Sequence, residues 1–394
     1  MQRQGVNNIS VKRINLDAVY WFIYVHRQVS VRDIVTGLNL SLPTVTQNLK
    51  QLMALGLVVS KGVMDSTGGR KARAYTLNNR THFTLGLDIT RRRVGLVLLD
   101  LSGNIAYHVR HSLTFQDVES YYAAVGHLAR CALDCLGLQP SDVLGAGISL
   151  PAILSGDGSH AVNAGPLGVL KIARSSLEAF LPFACALCND ANAGGFADFW
   201  AMSSAGNFGG RSLAYLSVSD TVGGSIMIDG RMYTGLHQHS AEFGHMTLIP
   251  GGEKCYCGQS GCAYAYLNTR RLAEMAGGEL ESFFQRLEAG EPRFLEVWDQ
   301  YLDYLALAIN NIRIALDLDI IIGGYLGRYI GPYMAELKRR AGKRNMFEGT
   351  GDYLLASTQV CEAAAVGAAL MQQYVQVKRL LGVETEETWG NQTP

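Results

Sequence analysis

Nowhere in these 394 residues does an apolar run approach the length of a membrane span, which argues against a membrane protein. The opening stretch, Met1-Gln-Arg-Gln-Gly-Val-Asn-Asn, lacks the apolar centre of a secretory signal, and a cytoplasmic protein without a membrane partner is expected. A disulfide framework is not expected either. Three of the eight cysteines crowd one short segment, and the others (Cys131, Cys135, Cys185, Cys188 and Cys361) stand in apolar surroundings suited to core positions. Net charge is also absent, since 34 Lys and Arg balance 34 Asp and Glu. What is there, 48% hydrophobic and 17% charged residues, is a globular composition, at a length that implies two or three domains.

The balanced charge hides an uneven distribution. Residues 1–80 carry eleven Lys and Arg against three Asp and Glu, and the remainder carries 23 against 31. A basic first fifth on an acidic body is the footprint of a nucleic-acid-binding head. Within it, residues 14–27 place Leu16, Val19, Tyr20, Ile23 and Tyr24 at helical spacing. Ser30, paired with Asp33, caps a short helix that Gly37 is expected to end. Ser41 caps a second, Leu42 to Leu55, with Pro43 in its first turn, Gly56 closing it, and Val45, Leu49, Leu52 and Met53 as its buried stripe. This is a helix-turn-helix order. The exposed face is expected to offer Thr44, Thr46, Gln47, Asn48 and Lys50 to base edges or phosphates. A hairpin from Leu57 to Leu77 would complete a winged helix, its loop bringing Arg70, Lys71 and Arg73 towards a narrow minor groove.

Further on, Glu242-Phe-Gly-His245 precedes Cys255-x-Cys257-x4-Cys262. One imidazole and three thiols within eighteen residues supply the donors of a closed tetrahedral zinc site, and the glycines among them let the backbone converge. Four filled positions would leave none for a metal-bound water, so the zinc is expected to be structural.

This segment resembles the ROK family of bacterial sugar kinases and sugar-responsive repressors, whose pattern runs Glu-x-Gly-His, then Cys-x-Cys-Gly-x-x-Gly-Cys. Here it reads Cys255-Tyr-Cys257-Gly-Gln-Ser-Gly-Cys262. The resemblance implies that His245, Cys255, Cys257 and Cys262 hold zinc and order a sugar-binding loop. It also implies an actin-like, hexokinase-related ATPase fold of two lobes, consistent with the apolar strands and intervening helices that follow Thr84. Asn189-Asp190-Ala-Asn matches the family's sugar-facing motif, Asp190 standing where kinases keep their catalytic base. Asn163, Glu242 and His245 are expected to join Asn189 and Asp190 around the sugar. The family's usual Glu after the last Cys is replaced by Tyr264, a phenol with a flat face for a sugar ring.

Kinases of the family carry Asp-x-Gly-Gly-Thr on the first strand and a Gly-Thr-Gly loop in the second lobe. Here the first reads Asp88-Ile-Thr-Arg91-Arg92 and the second Ser219-Asp220-Thr221, so bare backbone for polyphosphate is missing. The expectation is therefore an α/β protein that binds but does not phosphorylate. Its parts would be a winged helix-turn-helix over 1–80, a first ROK lobe over 82–195, and a second over 196–394 with the zinc loop and a last helix able to return to the first. The reading is a sugar-responsive repressor of the N-acetylglucosamine or xylose repressor type, bound to palindromic operator DNA as a homodimer or a dimer of dimers. A residual sugar kinase and a scaffold for a phosphotransferase protein are the alternatives.

Overall fold

The computed structural model describes residues 8–63, 73–203, 211–359 and 361–383. Three helices and a hairpin come first: α1 (Asn8–His26), α2 (Val31–Leu38), α3 (Leu42–Ala54), β1 (Val58–Val63) and β2 (Arg73–Leu77), the strands antiparallel. Both caps are local. Ser30 and Asp33 close a reciprocal capping box on α2, and the Ser41 hydroxyl accepts from the Thr44 N–H at 3.3 Å.

Three details differ from the sequence reading. Gly37 lies inside α2, which ends at Asn39 in the left-handed conformation, and a Cβ at Gly37 would collide with the Phe22 ring. On α3, Asn48 is buried with Val45, Leu49 and Leu52, whereas Met53 is exposed. The stripe turns by one residue because α3 packs against both α1 and α2. Among the cysteines assigned to the core, Cys185 and Cys188 are buried, Cys135 is exposed, and Cys131 and Cys361 are half-buried. Cys131 and Cys135 lie on an outer helix, described next.

The body repeats one sheet topology twice. The first sheet comprises β3 (Phe83–Ile89), β4 (Arg93–Asp100), β5 (Ile105–Ser112), β6 (Val143–Leu150) and β10 (Cys185–Asn189), ordered β10-β6-β3-β4-β5. Between them come α4 (Glu119–Leu136), a small sheet of β7 (Ile153–Leu154), β8 (His160–Asn163) and β9 (Ile172–Ala173), and α5 (Arg174–Glu178). After α6 (Asp190–Met202), the second sheet takes β11 (Leu213–Val218), β12 (Val222–Ile228), β13 (Arg231–Tyr233), β14 (Asp319–Gly323) and β15 (Leu354–Ala356), ordered β13-β12-β11-β14-β15. In each sheet the first strand is central, with an antiparallel meander of two further strands on one side and two parallel strands on the other. This is the two-lobed actin-like, hexokinase-like body, preceded by a winged helix-turn-helix. The second lobe is wrapped by α7 (Ala263–Leu267), α8 (Thr269–Met275), α9 (Leu280–Glu288), α10 (Pro292–Leu316), α11 (Gly324–Gly327) and α12 (Met334–Arg344).

The last helix, α13 (Ala363–Leu380), crosses back onto the first sheet. Gly86 and Gly147 leave room for its backbone, since a Cβ at either would run into the Ala365 or Ala368 carbonyl. Gly367 of α13 does the same for Ala193 of α6. The core that forms there joins Leu16, Tyr20 and Tyr24 of α1 to Phe196 and Trp200 of α6 and to Met371 of α13. The Trp200 Nε1 donates to the Tyr24 hydroxyl at 2.6 Å, and Lys378 pairs with Asp17 at 2.6 Å.

Candidate functional site in the interlobe cleft

His245 ends a 3-10 turn, Phe243–His245, and the three cysteines follow in a loop pinned by bridges between Thr247 and Cys262 and between Lys254 and Ser260. Gly258 and Gly261 have φ near +91° and +84°, and a Cβ at Gly261 would strike the Ile249 carbonyl. The ligand atoms of His245, Cys255, Cys257 and Cys262 lie within 4.8 Å of one another. Cys257 Sγ is 3.8 Å from Cys262 Sγ, and Cys255 Sγ is 3.8 Å from His245 Nδ1. A tetrahedral ion with metal–sulfur bonds of about 2.3 Å needs sulfurs about 3.8 Å apart. The donors therefore fit a metal ion, and burial lowers the His245 pKa, keeping the imidazole neutral as a ligand must be.

Asp190 opens α6 at the mouth of a cleft of about 400 Å³ that also shows Asp88, Arg93, Tyr256, Tyr264 and Tyr325. Its Oδ2 accepts from the Thr221 hydroxyl at 3.1 Å, and burial pushes its pKa up to about 6. Glu242 is close enough for Asp190 to reinforce the upward shift that burial gives it. Tyr264 meets Tyr256 edge-to-face at 4.7 Å, and the Tyr256 hydroxyl lies 2.9 Å from His245 Nε2. Thus His245 and Tyr264 flank the Tyr256 ring, and Asp190 lines the same cleft, while Glu242 and His245 are not among the residues on its wall.

The two asparagines are otherwise engaged. Asn189 caps α6, its Oδ1 accepting from the Asn192 N–H at 3.0 Å and its Nδ2 donating to the Ala152 carbonyl at 3.2 Å. It lines a separate cavity of about 220 Å³ bounded by β10 and α13. Asn163 is exposed on β8, with its Oδ1 held by the Gly165 N–H at 3.1 Å. An Asn at a turn or helix start satisfies local backbone donors first, which its sequence neighbours alone do not reveal.

The nucleotide half of the cleft keeps its volume, but its polar groups bond to one another. The Thr90 N–H donates to the Arg93 carbonyl at 2.9 Å and the Arg93 N–H to the Thr90 hydroxyl at 3.2 Å across the β3–β4 turn, and Arg91 donates to the Leu167 carbonyl. Gly324 N–H donates to the Tyr215 hydroxyl and Tyr325 N–H to the Ser219 hydroxyl, each at 3.0 Å, so these backbone donors are already used. Asp220 faces Arg93 at 4.0 Å across the lobes and accepts from Thr269 at 3.3 Å. Arg93 and Arg110 lie over the Tyr325 ring at 5.3 and 5.5 Å, and Arg110 pairs with buried Glu362 at 2.5 Å. Sequence reasoning missed Tyr256, Arg93, Arg110, Tyr325 and Glu362. Arg93, beside the altered Arg91-Arg92 pair, and Tyr325, after Gly323-Gly324, carried a local signal.

On the head, Gln47 and Lys50 are exposed on one face of α3. Thr46 is exposed too, but its hydroxyl donates to the Leu42 carbonyl at 2.8 Å, and the Thr44 hydroxyl bonds Ser41 at 2.8 Å. Asn48, buried, is not on that face. Arg73 is exposed at the start of β2, while Arg70 and Lys71 lie outside the described residues.

Residues 84–374 match the ROK family. A protein described as a putative xylose repressor from Caldicellulosiruptor sp. (strain Rt8B.4) is 24% identical over 374 residues, covering 86% of this chain and 90% of its own length. Among solved structures, a ROK family transcriptional regulator, homologue of the E. coli Mlc protein, superposes with TM-score 0.72 at 18% identity, covering 94% of this chain and 99% of that one. A ROK glucokinase from Streptomyces griseus, solved with glucose and AMPPNP, gives TM-score 0.63 at 19% identity, covering 73% of this chain and 98% of that one. The duplicated sheet, the His and Cys loop and the extent of the match lead to one conclusion: the chain belongs to the ROK family.

Proposed function

We propose that the chain is a sugar-responsive transcriptional repressor that binds operator DNA through residues 1–80 and a sugar in the cleft between lobes of 82–195 and 196–394. The observation that carries this reading is the fate of the nucleotide half. The backbone N–H groups of Gly324 and Tyr325 are consumed internally and a carboxylate, Asp220, stands in the phosphate loop, while Asp190, Glu242 and the metal loop are kept. Phosphoryl transfer needs free donors and cations around the phosphates. Binding alone does not.

The residues divide the work as follows. Asp190 and Glu242 accept from sugar hydroxyls, and Tyr264 offers its ring as a stacking face. Zinc is the ion suited to one imidazole and three thiolates, and with no open position it orders the loop rather than activating water. Asn189 holds the start of α6 in place, and Asn163 supports the turn at 165–167. Gln47 and Lys50, with Thr44 and Thr46 at the helix start, face the major groove, and Arg70, Lys71 and Arg73 of the wing reach phosphates or the minor groove. Two copies, reading two half-sites, suit the geometry of such heads.

Selection from random duplex DNA should return a palindrome bound by wild type, with affinity changed by a monosaccharide and not by ATP. Asp190→Ala should bind the same DNA and ignore the sugar. ATP-dependent formation of a sugar phosphate, abolished by Asp190→Ala, would make the chain a kinase instead.

A further inference from the structure

We infer that Tyr256 is a specificity-determining residue of the cleft, its phenol holding the place of a sugar hydroxyl on His245 and its ring limiting the ligand to a compact, unsubstituted monosaccharide. The inference rests on the sugar-binding reading above. Tyr256 is the residue between two of the metal-loop cysteines, so its backbone is fixed: Cys255 N–H donates to the Gln259 carbonyl at 2.9 Å and Gly258 N–H to the Cys255 carbonyl at 3.1 Å. The side chain is 50% exposed and held by His245 and Tyr264.

The two nitrogens of His245 face different partners. Nδ1 looks to Cys255 Sγ at 3.8 Å, within the metal cluster, and Nε2 lies 2.9 Å from the Tyr256 hydroxyl. The phenol therefore makes the one hydrogen bond that this imidazole has left for a ligand. Tyr256 lines the same cleft as Asp190 and Tyr264. The ring stands at 81° to Tyr264, and a Cβ on Gly165 would lie 3.6 Å from its Cε2. Tyr256 thus reaches from the second lobe to the 165–167 turn of the first and closes the mouth there.

Two consequences follow from this geometry. An incoming sugar must exchange one hydroxyl contact on Nε2 for another, so the phenol competes with it directly. Where the sugar lies under the ring, a substituent pointing towards Gly165 meets Tyr256 and is refused. Tyr256→Phe removes the competitor and keeps the filter; Tyr256→Ala removes both.

The test is calorimetric titration of D-xylose, D-glucose and N-acetyl-D-glucosamine into wild type, Tyr256→Phe, Tyr256→Ala and Asp190→Ala, with metal content measured on each. Tyr256→Phe should bind the unsubstituted sugars about 2–10-fold more tightly, the worth of one hydrogen bond. Tyr256→Ala should improve on wild type for N-acetyl-D-glucosamine by about tenfold or more. Asp190→Ala should bind none. Equal affinities of wild type, Phe and Ala for all three sugars, with metal retained, would overturn the role of Tyr256 and leave the sugar reading standing. Silence from every sugar on every chain would instead remove the sugar reading, and this inference with it. Should Ala lose its metal, the Phe chain decides alone.

Discussion

Asp88 occupies the strand position from which the kinases of this family handle phosphate, yet here it is buried with a single hydroxyl partner, Ser149 Oγ at 3.0 Å. Burial, reinforced by Glu362 and Asp190, pushes its pKa up to about 7. The sign follows from linkage. A carboxyl that holds its proton more tightly folded than unfolded loses stability for the protein as pH rises from its ordinary value near 4 to about 7, and the loss then levels off. Asp88→Asn, neutral at every pH, should therefore stabilise the protein at pH 8 and bring little at pH 4. Urea unfolding across that range would show a widening gap between the two chains. A constant gap would mean that packing, not charge, sets the difference. Asp190, pushed up to about 6 by burial, is less perturbed because Thr221 and the Ala191 N–H support its ionised form.

At the scale of elements, what was legible in the sequence was what chemistry sets locally. The capping serines of α2 and α3 stand beside the N–H groups they bind, and the metal donors converge within one loop, so spacing alone revealed them. Features set by a distant neighbour were not legible. Gly37 reads as a helix end until Phe22 of α1 is seen against it. Asn48 and Met53 exchange places because the phase of α3 is fixed by two partner helices. The Arg110–Glu362 pair joins residues 252 apart in sequence, beyond the reach of any motif. Tyr256 fell on a position that the Cys-x-Cys pattern leaves unspecified. The metal loop also yields a prediction at this scale. Cys257, the exposed member of the set, can become Ser without a packing defect. Cys257→Ser should lower metal content sharply and raise protease cleavage between His245 and Cys262, with the rest of the chain intact. Unchanged metal content by elemental analysis would show that three donors suffice.

For the whole molecule, the decisive contact is the seam between head and body. Tyr24 takes the indole N–H of Trp200, Trp21 lies 5.6 Å from Trp200 and 5.5 Å from Tyr374, and Arg27 donates to the Ser102 carbonyl at 2.6 Å. Trp200 sits on α6, whose first residue is Asp190, so one helix of about 15 Å between them touches both the cleft and the head. Tyr24→Phe removes the hydroxyl that accepts the buried indole N–H and should cost about 1–3 kcal/mol. It should also reduce the change in operator affinity caused by sugar while leaving sugar binding itself intact. Gel shifts with and without sugar, set beside calorimetry on the same variant, would test this; a full response in Tyr24→Phe would place the coupling elsewhere.

That seam also bears on inheritance. Its parts come from residues 17–27, from Ser102, from Trp200 and from 374–378, and no single cut of the gene separates head from body without dividing it. A recombination that exchanged the first eighty residues for those of another regulator would remove the Tyr24 hydroxyl and the Asp17 carboxylate that Trp200 and Lys378 bond. On the DNA-binding reading, new operator preferences are thus more readily reached by point changes at exposed sites such as Gln47 and Lys50 than by trading heads. Descendants of this chain would be expected to vary on α3 while the aromatic face of α1 changes only in step with α13.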